Sequence, residues 1–202
     1  MRGSPDRGRL WLAVAAILSA GALLSFPIDR PILDWQPALA ATEPWRAISA
    51  AFVHYSALHL AANLAGAALV GALGRVARVP MRTVVAWLVA WPLTQLGLLA
   101  RPDLLRYGGL SGVLHAGVAC VAWQLIVDGR GARRTIGALT LAGVVVKVLS
   151  EAPWGEPLRH PAGWDIATAP FAHASGVVAG LLAAALCDLA SRWSTRALGW
   201  RR

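Results

Sequence analysis

Long apolar segments separated by clusters of arginine are the feature that most constrains the fold of this chain. Apolar residues make up 57% of the sequence and charged residues only 14%, against about 25% charged in a typical soluble domain. A run of about 20 apolar residues crosses a bilayer as a helix, because a helix satisfies its own backbone hydrogen bonds there. The pattern predicts an all-α, polytopic membrane protein embedded in the lipid bilayer.

Six spanning helices are predicted from the apolar segments, within a single domain covering residues 1–202. Their approximate ranges are 10–26, 55–74, 83–100, 110–127, 135–150 and 171–190. The first follows a short basic N-terminus and also fits a secretory signal peptide. No small-residue cleavage site follows it directly and several spans come later, so a retained first helix is favoured.

The distribution of arginine predicts the orientation of these spans. The N-terminus, the 75–82 loop, the 130–134 loop and the C-terminal tail carry three, three, three and four arginines. The other three loops carry five arginines in all, together with seven of the ten acidic residues. Because basic residues concentrate on the cytoplasmic side, both termini are predicted to be cytoplasmic. The net charge of +9 then reflects membrane topology, and no nucleic-acid partner is expected.

The two cysteines do not indicate a metal site or a disulfide framework. Cys120 and Cys187 both lie inside apolar segments, without the spacing of zinc ligands. They are interpreted as small packing residues, and no metal ion or other cofactor is expected.

A serine flanked by glycines opens the fourth apolar segment, in the run Tyr107-Gly-Gly-Leu-Ser-Gly-Val-Leu-His115. Gly108, Gly109 and Gly112 allow a sharp turn and the close approach of another segment. The unpaired N–H groups of a first helical turn can stabilise an oxyanion, so Ser111 is a candidate nucleophile. The alternative is a small-residue surface used only for helix packing.

Two histidines share the predicted depth of Ser111, and an asparagine lies one helical turn deeper. Counting back about 20 residues from the basic end of each span places His59, Ser111 and His173 about one turn below the outer surface. Asn63 follows His59 by four positions and shares its helix face. Each alone fits a hydrogen bond between helices, but their common depth favours a joint site. There a histidine would deprotonate the serine and an amide would donate to an oxyanion.

Small residues predict how two of the spans approach each other. Close packing of two stripes would bring the His173 imidazole to the Ser111 hydroxyl. The stripes are Gly112, Ala116 and Cys120 in one helix and Gly176 and Gly180 in the other. Carboxylates near this depth occur only in loops, so a serine–histidine dyad is favoured over a triad. Lys147 and Glu151 are four residues apart, a spacing that allows an ion pair.

Five short segments follow one another along most of the chain: Glu43-Pro-Trp-Arg46, His54, His59-Leu-Ala-Ala-Asn63, Gly109-Leu-Ser-Gly112 and Ala172-His-Ala-Ser-Gly176-Val-Val-Ala-Gly180. In this order and spacing, they resemble the motifs of the rhomboid intramembrane serine proteases. The resemblance implies Ser111 as nucleophile and His173 as general base. It implies an oxyanion hole of His59, Asn63 and the Ser111 amide, with the backbone at Gly108. The implied active-site neighbours are His54, Gly109, Gly112, His115 and Gly176.

His115 is a departure from the family pattern, in which this position is often a tyrosine stacked on the catalytic histidine. Its imidazole could stack in the same way. Arg46, in the Trp-Arg segment, fits either a contact with lipid headgroups or a structural hydrogen-bonding role.

Three functions are compatible with the sequence. The compact chain looks most like a rhombosortase, which implies cleavage of a C-terminal tail made of a Gly-Gly motif, a hydrophobic helix and basic residues. A general rhomboid protease cutting membrane-anchored proteins is the first alternative. A non-proteolytic binder is the second, although such members normally lack the serine or the histidine. The expected location is the bacterial inner membrane, with the site facing the periplasm. The oligomeric state is not predicted.

Overall fold

The computed structural model of the protein describes residues 8–199, which form helices joined by loops and short helical turns. The long helices are α1 (Arg9–Ser25), α2 (Ala57–Ala77), α3 (Met81–Leu96), α4 (Ser111–Asp128), α5 (Ala132–Ser150) and α6 (Pro170–Gly199). No strand occurs within residues 8–199, which confirms the predicted all-α class. Arg2 and Arg7 of the basic N-terminus, and Arg201 and Arg202 of the tail, lie outside the described residues.

Helix length and composition identify four candidate membrane spans in the described part of the chain. They are Ala57–Ala77, Met81–Ala100, Ser111–Asp128 and Pro170–Ser194, where the second includes a 3-10 turn that extends α3. The apolar helix α1 has only 17 residues, and α5 contains Arg133, Arg134 and Lys147. These criteria therefore support four spans, whereas the apolar segments of the sequence predict six.

The most enclosed helix of the bundle is α4, which packs against α2, α3, α5 and α6. Its contact with α6 is made backbone to backbone. A Cβ added at Gly176 would overlap the Gly112 carbonyl oxygen, and one added at Gly180 would overlap the Ala116 carbonyl oxygen. Cys120 Sγ also lies 3.3 Å from the Gly180 carbonyl oxygen. Small side chains therefore set the separation of α4 and α6, as the two stripes in the sequence predict.

A buried tryptophan attaches α1 to the rest of the bundle. The Trp11 ring stacks on that of Trp87 in α3, with 4.2 Å between ring centroids. Its Nε1–H donates to the Val70 carbonyl of α2 at 2.8 Å, which satisfies a polar group that is fully buried. The ring passes over Gly74, where a side chain would collide with the indole.

The segment between α1 and α2 is organised by Arg46, whose side chain is buried. The guanidinium donates to the Pro31 and Asp34 carbonyl oxygens, both at 2.8 Å, and forms ion pairs with Glu43 and Asp34. The sequence allows Arg46 either to contact lipid headgroups or to form structural hydrogen bonds, and these contacts correspond to the structural role.

A backbone bridge between Trp35 and Tyr107 joins this segment to the loop that precedes α4. Trp35 N donates to Tyr107 O at 2.7 Å, and Tyr107 N donates to Trp35 O at 2.9 Å. The approach to Ser111 is therefore anchored at the end of the bundle where α4 begins.

Candidate active site

Ser111 is the first residue of α4, and the two glycines before its N-terminus allow the chain to reach it. Gly109 has φ +140°, which strongly favours glycine, and its N–H donates to the Ala50 carbonyl at 2.9 Å. A Cβ at Gly108 would lie 2.6 Å from Val53. The turn therefore needs both glycines, and it brings the Ser111 side chain to a cavity.

The cavity has a volume of about 1020 Å³ and lies beneath the loop that joins α5 to α6. Its walls include Asn63 and Gly66 of α2, Leu114 and Val118 of α4, and Val144 of α5. Ser111, His59, His115, His173 and Gly108 also line it. A space of this size, mostly apolar with a few convergent polar groups, is typical of a binding site.

Ser111 and His173 are in hydrogen-bonding contact across the α4–α6 packing. The His173 Nε2 atom lies 2.9 Å from Ser111 Oγ. His173 is near the start of α6 and is largely buried. Gly112 and Gly176 do not line the cavity but bring the two backbones together, since a Cβ at Gly112 would lie 2.8 Å from the Ala172 carbonyl oxygen. The sequence placed the two side chains at one depth, and the structure places them in contact.

A carboxylate and an ammonium group meet the other side of the His173 ring. Glu151 Oε2 lies 2.7 Å from His173 Nδ1, and Glu151 Oε1 forms an ion pair of 2.9 Å with Lys147 Nζ. Burial by itself would raise the pKa of the Glu151 carboxyl, but contacts with His173 and Lys147 outweigh it and lower that pKa to about 2. Glu151 therefore carries its negative charge at neutral pH.

His115 lies parallel to His173 and contacts the same cluster. The two ring centroids are 4.4 Å apart with an interplanar angle of 16°. Lys147 Nζ lies 2.9 Å from His115 Nε2, and His115 Nδ1 lies 2.6 Å from the Ser111 carbonyl oxygen. An ammonium group only donates, so Nε2 accepts and the proton of the neutral ring is on Nδ1. The His115 ring therefore stacks on His173, as the resemblance suggested it could.

The first turns of α2 contribute two groups to the opposite wall. Ser56 caps the helix by accepting from the His59 backbone N–H at 3.0 Å, which holds His59 in the first turn. The Tyr55 N–H lies 3.4 Å from His59 Nδ1, so the neutral ring carries its proton on Nε2, the atom nearest Gly109. The buried Asn63 Nδ2 has no hydrogen-bond partner within residues 8–199. Both groups can donate to an anion in the cavity.

His54 stands apart from the other candidate residues. It is fully buried behind His59, with 4.7 Å between ring centroids, and it does not line the cavity. Burial lowers its pKa, although a hydrogen bond with the Phe52 carbonyl opposes this. Its place is therefore behind the site.

Sequence reasoning did not foresee that Glu151 and Lys147 reach His173. It recognised the two only as partners of each other, and that ion pair is present. Their four-residue spacing was the available signal, but it contains no information about how the C-terminal end of α5 lies against the start of α6.

Comparison with known families identifies one matching family. The family model described as Rhomboid domain matches residues 41–191, about three quarters of the chain, which include every candidate site residue named above. A search of curated proteins found no match.

Proposed function

Because this chain belongs to the rhomboid family of intramembrane serine proteases, we propose that it is an intramembrane endopeptidase with Ser111 as nucleophile and His173 as general base. The observation that carries the proposal is the 2.9 Å contact between Ser111 Oγ and His173 Nε2 inside a large cavity. A serine hydroxyl is a weak nucleophile unless a base within hydrogen-bonding distance removes its proton.

In the first half of the reaction, Ser111 Oγ attacks the carbonyl carbon of the scissile peptide bond and its proton passes to His173 Nε2. The carbonyl oxygen becomes an oxyanion. The Ser111 N–H at the start of α4, the His59 Nε2–H and the Asn63 Nδ2–H stabilise this charge, together with the backbone at Gly108. The unpartnered Asn63 amide supports this role, because a buried donor without an acceptor is costly unless a ligand uses it.

Collapse of the intermediate breaks the C–N bond, and His173 gives its proton to the departing amine. An ester between Ser111 and the acyl half of the substrate remains. A water molecule from the cavity then attacks the ester carbon and passes a proton to His173. The C–O bond to Ser111 breaks, the serine recovers its proton and the new carboxylate leaves.

We place the site on the periplasmic side of a bacterial inner membrane. Ser111, His59 and His173 lie at the N-terminal ends of α4, α2 and α6. The arginines at 75–82 and 130–134 lie at the C-terminal end of α2, in the connections after α2 and α4, or in the first turns of α3 and α5. Because basic residues mark the cytoplasmic side, the cavity is on the outer side.

The proposed substrates are membrane-anchored proteins with a C-terminal sorting tail of a Gly-Gly motif, a hydrophobic helix and basic residues. This assignment rests on the resemblance of the sequence to the rhombosortases. Its alternative is a general rhomboid activity on ordinary transmembrane segments.

Two co-expressed periplasmic reporters test both the reaction and the substrate. One carries the Gly-Gly, hydrophobic and basic tail, and the other carries an ordinary type I membrane segment. The protein is supplied as wild type, Ser111→Ala, His173→Ala or the control Ser194→Ala, whose exposed side chain lies far along α6.

We expect the wild type and Ser194→Ala to cleave the Gly-Gly reporter alone, and Ser111→Ala and His173→Ala to cleave neither. Cleavage of both reporters by the wild type assigns the general rhomboid activity. Cleavage that persists in Ser111→Ala contradicts the nucleophile, and an uncut Gly-Gly reporter contradicts the sorting substrate.

A further inference from the structure

We propose that Glu151 is a third member of the apparatus, a positioning residue whose carboxylate holds His173 with its proton on Nδ1. The proposal rests on the proposed Ser111–His173 pair and extends it from a dyad to a triad. The carboxylate contacts the His173 imidazole and the Lys147 ammonium but not Ser111 Oγ, so we assign its effect on the reaction to His173.

Two groups of opposite hydrogen-bonding character compete for the same atom of His173. Glu151 Oε2 lies 2.7 Å from Nδ1, and Lys147 Nζ lies 3.0 Å from it. A carboxylate only accepts and an ammonium only donates, so each selects a different tautomer of the neutral ring. When Nδ1–H donates to Glu151, Nε2 has a lone pair that can receive the Ser111 proton.

The other tautomer is unproductive. When Nδ1 accepts from Lys147, the ring proton is on Nε2 and points at Ser111 Oγ, so His173 is not a base toward the serine. Glu151 opposes this state directly, because its charged oxygen would face the Nδ1 lone pair. Glu151 also disfavours this tautomer indirectly, because its second carboxylate oxygen binds the Lys147 ammonium at 2.9 Å.

The same carboxylate balances the charge that forms during the reaction. Once His173 accepts the serine proton, the imidazolium faces neutral groups of α4 and α2, namely Ser111, His115 and His59. It also faces the Lys147 ammonium from α5. Without Glu151, the His173 imidazolium and the Lys147 ammonium would lie about 3 Å apart, which disfavours proton transfer to His173.

The loop fixes Glu151 where it can perform this role. Arg159 donates to the Glu151 carbonyl at 2.7 Å, and Arg101 donates to the carbonyls of Pro153 and Gly155 at 3.0 and 2.8 Å. The next residue, Ala152, has φ +47°, an uncommon conformation for alanine that turns the chain immediately after α5. Hydrogen bonds from Arg101 and Arg159 to three backbone carbonyls thus hold this part of the loop, and Glu151 with it, in place.

A purely structural role makes a different prediction. In that reading Glu151 only ties its loop to α5 through the i,i+4 ion pair, and removing Lys147 or Glu151 has the same effect. If Glu151 positions His173, Lys147→Gln keeps the productive tautomer. Glu151→Gln instead leaves the Lys147 ammonium as the only charged group beside His173 Nδ1, which favours the unproductive tautomer. Removing both charges in a double variant then restores part of the Ser111 reactivity that Glu151→Gln loses.

The test uses the purified full-length protein in detergent and a fluorophosphonate probe, which needs no knowledge of the substrate. Ser111 Oγ forms a bond to phosphorus, the P–F bond breaks, fluoride leaves and His173 receives the hydroxyl proton. Labelling at several probe concentrations separates the maximal rate from the half-saturating concentration. The first requirement is that the probe labels the wild type and does not label Ser111→Ala. If this requirement is not met, the proposed nucleophile is contradicted independently of Glu151.

We expect Glu151→Gln to lower the maximal labelling rate by about 100-fold with little change in half-saturation. This is less than the about 10⁴-fold loss caused by replacing a buried triad carboxylate, because Glu151 is partly exposed. Glu151→Asp should recover part of the rate, and Lys147→Gln should lose less than about 10-fold. The double variant Glu151→Gln/Lys147→Gln should label faster than Glu151→Gln. Asp29→Asn, which removes an exposed carboxylate that does not line the cavity, is the charge-matched control and should label as wild type does.

The proposal is overturned if Glu151→Gln loses less than about 10-fold, or no more than Lys147→Gln. It is also overturned if the double variant is no faster than Glu151→Gln. Thermal unfolding is recorded for each variant. If Glu151→Gln does not fold, the labelling rates of Glu151→Asp and of the double variant are compared with that of Lys147→Gln. Rates no lower than that of Lys147→Gln then overturn the proposal.

Discussion

Gly176 of α6 lies directly against the carbonyl oxygen of Gly112 in α4, and no side chain fits between the two backbones. His173 lies three residues before Gly176, and Ser111 lies next to Gly112. The contact that closes the bundle therefore also sets the separation of the two proposed catalytic side chains.

Gly176→Ala is expected to destabilise the protein and to reduce labelling of Ser111. Overpacking of a tight contact costs about 1–3 kcal/mol, and relief by separation of the helices moves His173 away from the serine. Gly143→Ala is the matched control, because a Cβ on that α5 residue meets no atom within 4 Å. Thermal unfolding and labelling should both fall for Gly176→Ala and stay at wild-type values for Gly143→Ala. Equal unfolding midpoints for the two variants would show that the contact is not tight.

Asn63→Ala is expected to slow labelling by about 100-fold, the typical effect of removing one oxyanion donor. Other donors remain, so the loss should be smaller than in Ser111→Ala. Asn63→Asp keeps the size of the side chain but removes the donor, so it should be at least as slow. Wild-type labelling by Asn63→Asp would remove the amide from the oxyanion hole, whatever Asn63→Ala does.

His115→Phe is expected to retain most of the labelling rate, because a phenyl ring preserves the stack on His173. His115→Ala removes the ring and leaves space beside the imidazole, so a loss of about 10-fold or more is expected. The measurement is the maximal labelling rate of the two variants. If both lose equally, the polar contacts of His115 with Lys147 and the Ser111 carbonyl matter more than the stack.

The stabilising effect of Glu151 is expected to disappear in acid. Its folded pKa of about 2 lies below the ordinary value of 4.5, so the charged carboxylate stabilises the folded state above pH 4.5. That contribution decreases as the pH falls from 4.5 toward 2. The thermal unfolding midpoints of the wild type and Glu151→Gln should therefore differ by a constant amount from about pH 5.5 to 7.5, and converge below about pH 3. A difference that stays the same at about pH 3 would contradict the depressed pKa. The side chain is 30% exposed, so solvent screening keeps the effect modest.

Part of the site could be predicted because it depends on local spacing. His59 and Asn63 share a helix face four residues apart, and counting along each helix gives the depth of Ser111 and His173. Depth does not say which way a side chain points around its helix. That direction depends on how Gly112 and Gly176 let α4 and α6 approach, which the small-residue stripes only suggested.

Other features could not be predicted because no local period encodes them. The turns between α1 and α2 are organised by Arg46, which bonds to carbonyls 12 and 15 residues away. The sequence indicates only that Glu151 belongs to a loop. Its carboxylate reaches His173 from a loop whose carbonyls are bound by Arg101 and Arg159, and both Arg101 contacts span more than 50 residues.

The amino-acid sequence by itself determined the all-α class, the membrane character and the family. These depend on composition, on the period of a helix and on short motifs in a set order, all of which are local properties. Only the tertiary structure decided that Ser111, His173 and Glu151 form a hydrogen-bonded series and that Asn63 is left without a partner. Those relationships arise where three helices and a loop meet, and their distances depend on packing that no single segment contains.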